Sequence, residues 1–296
     1  MLKTFTAVIK LLRVDHYIKN ALCFLPLIFS GKLFHGEGFV TTLLGAAAFS
    51  ALSSCVYIYN DLCDIKFDRH HPRKCRRPLA SGELSPAAAW LLLGTMATLM
   101  LIPGYLAAGT NWQPWAILAA YAVSNLCYSR WLKHIVLVDV GVIASGFLLR
   151  LFYGAGLLSI PLSAWMFLTI LAASLFMGLG KRRNEMLCEK KVKTRSVLNG
   201  YSWNFLDRNM YIMMSLTIVF YALWTINSPS RDNSNMKITP LMWTIPGVIF
   251  LLMRYSLIIE RGAEGDPTRV LFSDRVLLVL SVLLGGTLVI MRNAVS

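Results

Sequence analysis

Apolar residues gather along the chain in nine blocks, at roughly 20–41, 39–59, 86–108, 113–129, 135–157, 162–180, 209–227, 240–259 and 274–292. Each is close to the ~20 residues that a helix needs to cross a hydrocarbon core. None alternates with the period of two that a barrel strand requires, so helices are the form these blocks take. The first two blocks meet at GKLFHGEG, residues 31–38, which sets a short turn between them. Pro86 and Pro114 fall at or near the first turn of the third and fourth blocks, where a missing N–H costs little. The pattern predicts an all-α, polytopic membrane bundle of about nine transmembrane helices, one domain over residues 1–296. At the start, Lys3, Lys10, Arg13 and Lys19 interrupt the apolar residues. Residues 1–19 therefore read as an amphipathic interfacial segment and not as a cleaved leader.

Composition agrees: 56% of residues are hydrophobic, 15% are charged and the mean hydropathy is +0.57. A net charge of +14 would suit nucleic acid in a soluble chain. Here the distribution of Lys and Arg gives it another meaning. With the N-terminus in the cytoplasm, 24 of the 29 fall on inner segments, four fall outside and Arg150 alone lies within a span. That bias predicts a cytoplasmic N-terminus in the inner membrane, and no nucleic-acid partner. The six cysteines have no CxxC or metal-ligand spacing and read as unpaired thiols.

The same topology sends the informative polar clusters out on the cytoplasmic side. NDLCDIKFDRHHPRKCRR, Asn60 to Arg77, places Asp61, Asp64 and Asp68 at offsets i, i+3, i+7, with Asn60 four before Asp64. On a helix these share a face. Crowded anions repel, and a divalent cation removes the repulsion. Mg²⁺ favours one or two carboxylates plus the oxygens of a phosphate, and Mn²⁺ accepts the same donors. The following Arg69, Arg73, Lys74, Arg76 and Arg77 supply counter-charge for phosphate oxygens. A solvated loop that only fixes topology would have no need of the acids.

YSRWLK (Tyr128 to Lys133) comes next, then Asp139 about one turn inside the fifth span, where a carboxylate must be paired or hydrated. Arg150 lies on nearly the same face but roughly 16 Å further along the axis, so each needs its own partner. Gly146 between them leaves room for a helix or a lipid chain, and a buried polar stripe joining helices is the plainer reading. After the sixth span, GKRRNE puts Lys181, Arg182 and Arg183 ahead of Glu185, suited to a phosphate-rich ligand or to a topology anchor.

NDxxDxxxD after the second span resembles the UbiA superfamily of intramembrane prenyltransferases. The resemblance implies a second acidic motif after helix 6, and GKRRNE stands there instead. RVDHYIKN, NDLCDIKFDRHHPRKCRRPLASG, YSRWLKHIVLVDVGVIASGFLLR, GKRRNE and DPTRVLFSDR together are similar to the branch of decaprenyl-phosphate phosphoribosyltransferases. That branch implies transfer of phosphoribose from 5-phosphoribosyl diphosphate (PRPP) to a polyprenyl phosphate, in a membrane enzyme that can self-associate. On this reading Asp61 and Asp64 hold Mg²⁺, with Asn60 and Asp68 assisting. Arg73, Lys74 and Arg77 take the leaving diphosphate. Lys181, Arg182 and Arg183 receive the donor's sugar phosphate, and Lys19 and Glu185 are counted among the substrate-binding residues. Lys133 and Tyr128 orient the lipid phosphate, Asp139 holds ribose hydroxyls, and Arg150 lines the substrate cavity. A prenyl diphosphate donor, or a non-catalytic lipid-phosphate carrier, are the competing readings.

Overall fold

The computed structural model describes residues 2–31, 33, 36–70, 74–189, 196–228, 239–261 and 266–295. Among them helices account for all regular structure: α1 (Leu2–Leu12), α2 (Leu25–Phe29), α3 (Gly36–Arg69), α4 (Pro86–Ala108), α5 (Trp112–Arg130), α6 (Val138–Leu158), α7 (Ala164–Glu189), α8 (Trp203–Ile226), α9 (Ile245–Glu260), α10 (Pro267–Ser273) and α11 (Arg275–Val295). Their starts follow local chemistry. Ser85 caps α4 with Pro86 at its first position, Ser202 caps α8, and Asp266 caps α10 by accepting from the Thr268 N–H at 3.0 Å.

By length and composition, seven of the nine expected blocks are helices able to cross a membrane: α3, α4, α6, α7, α8, Pro240–Glu260 and α11. The fourth block is α5, a 19-residue helix carrying Gln113, Ser124, Asn125 and Ser129. The first block differs most. In place of one long helix, Val14–Phe24 forms a 3-10 helix that runs into α2. This thin segment lies directly on α6. A Cβ on Gly154 would sit 2.0 Å from the carbonyl oxygen of Cys23, so only glycine allows the approach.

α1 packs one face against the bundle. Ala7 and Leu11 are buried with Ile58, Leu79, Leu84 and Ala89, while Phe5 and Ile9 stay exposed. α4 and α11 lie at the rim with Leu91, Ile102, Val282 and Ile290 facing outward. The largest core cluster joins α6, α7, α8 and α9 around Phe176, Leu206, Met210 and Ile259. Helix α3 decides where the chemistry goes. Its 34 residues are about 51 Å long, some 20 Å more than the hydrocarbon core, so its last turns, Asn60 to Arg69, emerge as a projecting end.

Candidate active site

The projecting end of α3 meets cations from three directions. Oδ1 of Asp61 accepts from Arg13 at 2.7 Å and from Nη1 of Arg77 at 3.0 Å. The same Arg77 nitrogen donates to Asp68 at 2.7 Å, and Lys74 lies 3.8 Å from the other Asp68 oxygen. Asp64 turns toward Lys133 at 3.5 Å, and Asn60 accepts from Ser129 of α5. Asp61 and Asp68 are buried; Asp64 is half-buried. Arg73 lies outside the described residues.

Among the described residues no three His, Cys, Asp or Glu side chains stand close enough to hold a metal alone. The donor chemistry nevertheless fits Mg²⁺. Asp61 and Asp68 both aim oxygens at one cationic nitrogen, and Mg²⁺ asks for one or two protein carboxylates with phosphate oxygens completing its shell.

A second cluster lies at the start of the 3-10 segment. Lys19 contacts both Asp266 oxygens at 3.3 Å, and His16 is 3.3 Å from the Lys19 amine. Burial alone would raise the Asp266 carboxyl, but Lys19, Lys181 and His16 together hold it well below the usual carboxylate range. Burial and then the charge of Lys19 push His16 down to about 4. Burial lowers Lys19 as well, against the pull of Asp266. Lys181 is near enough to feel both Asp266 and Glu185.

Arg182 and Arg183 part company here. Consecutive helix residues point about 100° apart, so Lys181, Arg182 and Arg183 cannot share a face. Arg182 is fully buried, donating to Asp139 at 2.5 Å, Glu185 at 2.5 Å and Tyr128 at 3.0 Å. Arg183 turns toward α8 and α9, 2.7 Å from Asp207, 3.6 Å from Glu260 and stacked over Trp203 at 4.3 Å. As placed, Arg183 faces the α8–α9 side, away from the partners of Arg182.

Asp139 and Arg150 do have separate partners, as their spacing requires. Each Asp139 oxygen accepts one hydrogen bond, Oδ2 from Arg182 and Oδ1 from the Tyr201 hydroxyl at 2.6 Å, and the carboxylate is fully buried. Arg150 folds over Gly146, donating to its carbonyl at 2.6 Å, to Asn20 at 2.7 Å and to the Tyr121 hydroxyl at 3.2 Å, between the rings of Phe49 and Tyr121. The space that glycine leaves is filled by the guanidinium itself. Asn20 in turn donates to Ser50, so Arg150 ties the 3-10 segment to α3, α5 and α6. As placed, the Arg150 guanidinium is engaged by a carbonyl and side chains of the bundle itself.

Several partners carry no local signal in the sequence. Arg13 lies 48 residues from Asp61, Asp266 lies 247 from Lys19, and Tyr201 lies 62 from Asp139. Only Asp266 is readable in part, because Asp-Pro marks a helix start.

Fold and mouth together define an integral membrane helix bundle whose charged chemistry is gathered at one end. The chain belongs to the UbiA prenyltransferase family, whose model matches residues 22–273, and is a transferase of that superfamily. It is 31% identical to the decaprenyl-phosphate phosphoribosyltransferase of Mycolicibacterium smegmatis over 96% of this chain and 91% of that one. With the protein of the same name from Corynebacterium glutamicum it shares 30% identity over 93% and 83%. A UbiA homolog from Archaeoglobus fulgidus, solved with GPP and Mg²⁺, superposes with a TM-score of 0.69 at 19% identity, covering 97% of this chain and 99% of that one. That likeness shows the fold.

Proposed function

We propose that this protein transfers the 5-phosphoribosyl group of PRPP to a polyprenyl phosphate at the cytoplasmic face of the inner membrane and releases pyrophosphate. One observation carries the reading: Asp61 and Asp68 converge on a single Arg77 nitrogen at the same end of the bundle as Lys19 and Lys181. A metal-binding acid pair beside a separate cationic pocket suits a donor phosphorylated at both ends. The names of the curated relatives support the same substrates.

Asp61, Asp64 and Asp68, with Asn60, would hold Mg²⁺, which when bound to the diphosphate neutralises its oxygens. Arg77 and Lys74 now rest on Asp61 and Asp68. They exchange those carboxylates for diphosphate oxygens, where charge grows as the ribose C1–O bond breaks, so their attraction increases toward the transition state. Lys19 and Lys181 take the 5-phosphate. Lys133 and Tyr128 orient the acceptor phosphate, which is already an anion at neutral pH and needs no strong base. Alignment then supplies much of the rate. In-line attack on the α-configured donor inverts C1 and gives a β product.

Purified protein is incubated with PRPP, Mg²⁺ and polyprenyl phosphate. Pyrophosphate release that needs both substrates supports the assignment, and the anomeric NMR coupling of the product reads its configuration. Release with a prenyl diphosphate in place of PRPP would replace the proposed donor, and no turnover with either would point to a lipid-phosphate carrier.

A further inference from the structure

Between the α7–α8 connection and the mouth, the main links run in directions that the groups themselves force. The Leu137 N–H donates to the Tyr201 hydroxyl at 2.7 Å, and that hydroxyl donates to Oδ1 of Asp139 at 2.6 Å. Nε of Arg182 donates to Oδ2 of Asp139 at 2.5 Å, and Nη2 donates to the Tyr128 hydroxyl at 3.0 Å. An amide N–H and a guanidinium can only donate, and an ionised carboxylate can only accept. Tyr201 must therefore spend its proton on Asp139, and Tyr128 must receive on its Arg182 side. The proton of Tyr128 is the donor left at the end of the series. Asp139, Arg182 and Tyr201 are buried, whereas Tyr128 is only half-buried.

The surroundings hold this series firmly. Leu137 sits at φ 69° and ψ −38°, a positive-φ conformation of the kind that costs a non-glycine residue about 1–3 kcal/mol and persists where neighbours impose it. Gly200 lies so close to Val136 that a Cβ would meet its Cγ2 at 2.4 Å. Val197 and Leu198 are buried in the largest core cluster and fix the residues just before Tyr201.

We infer that Tyr201 is a positioning residue which, through Asp139 and Arg182, aims the Tyr128 hydroxyl proton at a phosphate oxygen of the acceptor lipid. The inference rests on the acceptor reading above. Without the Tyr201 hydroxyl, Oδ1 of Asp139 becomes an open acceptor, Arg182 shifts toward it, and Tyr128 loses the partner that turned its proton outward.

The test compares wild type, Tyr201→Phe, Tyr128→Phe and the double variant in kcat/KM for pyrophosphate release, in calorimetric binding of geranyl phosphate as a short polyprenyl phosphate, and in detergent melting. Each single variant is expected to lower kcat/KM and geranyl phosphate affinity about tenfold, in line with loss of one hydrogen bond to a charged group. The double variant is expected to fall no further than Tyr128→Phe, because the series has one output. Effects that multiply would overturn the relay. So would a lower melting temperature in Tyr201→Phe with wild-type kcat/KM per folded molecule. Should that variant not fold, Asp139→Asn, which keeps shape and removes charge, takes its place. A wild type that binds geranyl phosphate without releasing pyrophosphate from PRPP would remove the proposed donor alone, and the binding comparison would still decide the relay.

Discussion

Gly154→Ala tests how tightly the 3-10 segment is coupled to the mouth. A methyl at this position would lie 2.0 Å from the oxygen of Cys23 and 2.8 and 2.9 Å from its carbonyl carbon and Cα. Attractive contact between heavy atoms begins near ~3.5 Å, so the two backbones must part by roughly 1.5 Å. Both obstacles are main chain, and no rotamer change relieves them. Overpacking of this kind costs about 1–3 kcal/mol. The larger effect should fall on turnover, because Arg13, His16 and Lys19 ride on the same segment and reach Asp61 and Asp266. A displacement of ~1 Å in positioning groups costs on the order of 100-fold in rate. Pyrophosphate release and detergent melting are to be measured beside Gly94→Ala, where an added methyl meets nothing within 4 Å. A 30- to 100-fold loss in turnover with a modest drop in melting temperature is expected, against no change in the control. Activity within twofold of wild type would refute the coupling between segment position and catalysis.

Asp61→Asn and Asp64→Asn should each cut turnover at least 100-fold while the protein still purifies as a folded species; near-normal rates in both would remove the metal assignment. Lys181→Ala should raise the KM for PRPP about tenfold and leave that for the lipid nearly unchanged, as expected for loss of one charged contact. Arg182→Ala should cost ~3–5 kcal/mol in stability, since it strips the counter-charge from buried Asp139, and the folded fraction should bind the acceptor phosphate as weakly as Tyr128→Phe while its KM for PRPP stays near that of wild type; melting in detergent reads the first effect. His16 titrates near 4 when folded against 6.5 when unfolded. Between those values the unfolded chain holds the extra proton, so stability should fall as pH drops through the window, by at most ~1.4 kcal/mol per pH unit. His16→Asn should flatten the decline in melting temperature between pH 6.5 and 4, and an unchanged slope would assign it to other groups.

The membrane class, the helix identities and the gathering of polar clusters at one end were legible because each rests on local pattern. Apolar block length gives a helix long enough to span. The acids of α3 were readable for the same reason, since i, i+3, i+7 spacing is a helix property. What resisted was contact between distant segments. Asp139 and Arg150 announce that they need partners, but nothing near them names Tyr201, Arg182 or Asn20. The trio at 181–183 reads as one basic patch in the sequence, and helical rotation separates its members, sending Arg182 to a buried pair with Asp139 and Arg183 to a neighbouring helix. The first block, read as one helix, is divided among the end of the 3-10 segment, the five-residue α2 and the start of α3.

Asp61, Asp64, Asp68, Asp266 and Glu185 each already face a cationic side chain of the protein itself. Substrate capture at such a surface is an exchange of ionic partners. The ions set free are tethered arms that swing aside, where an ordinary polyanion site would shed salt from solution. The gain from binding should therefore come from how well the incoming oxygens and metal replace contacts that the resting protein supplies for itself.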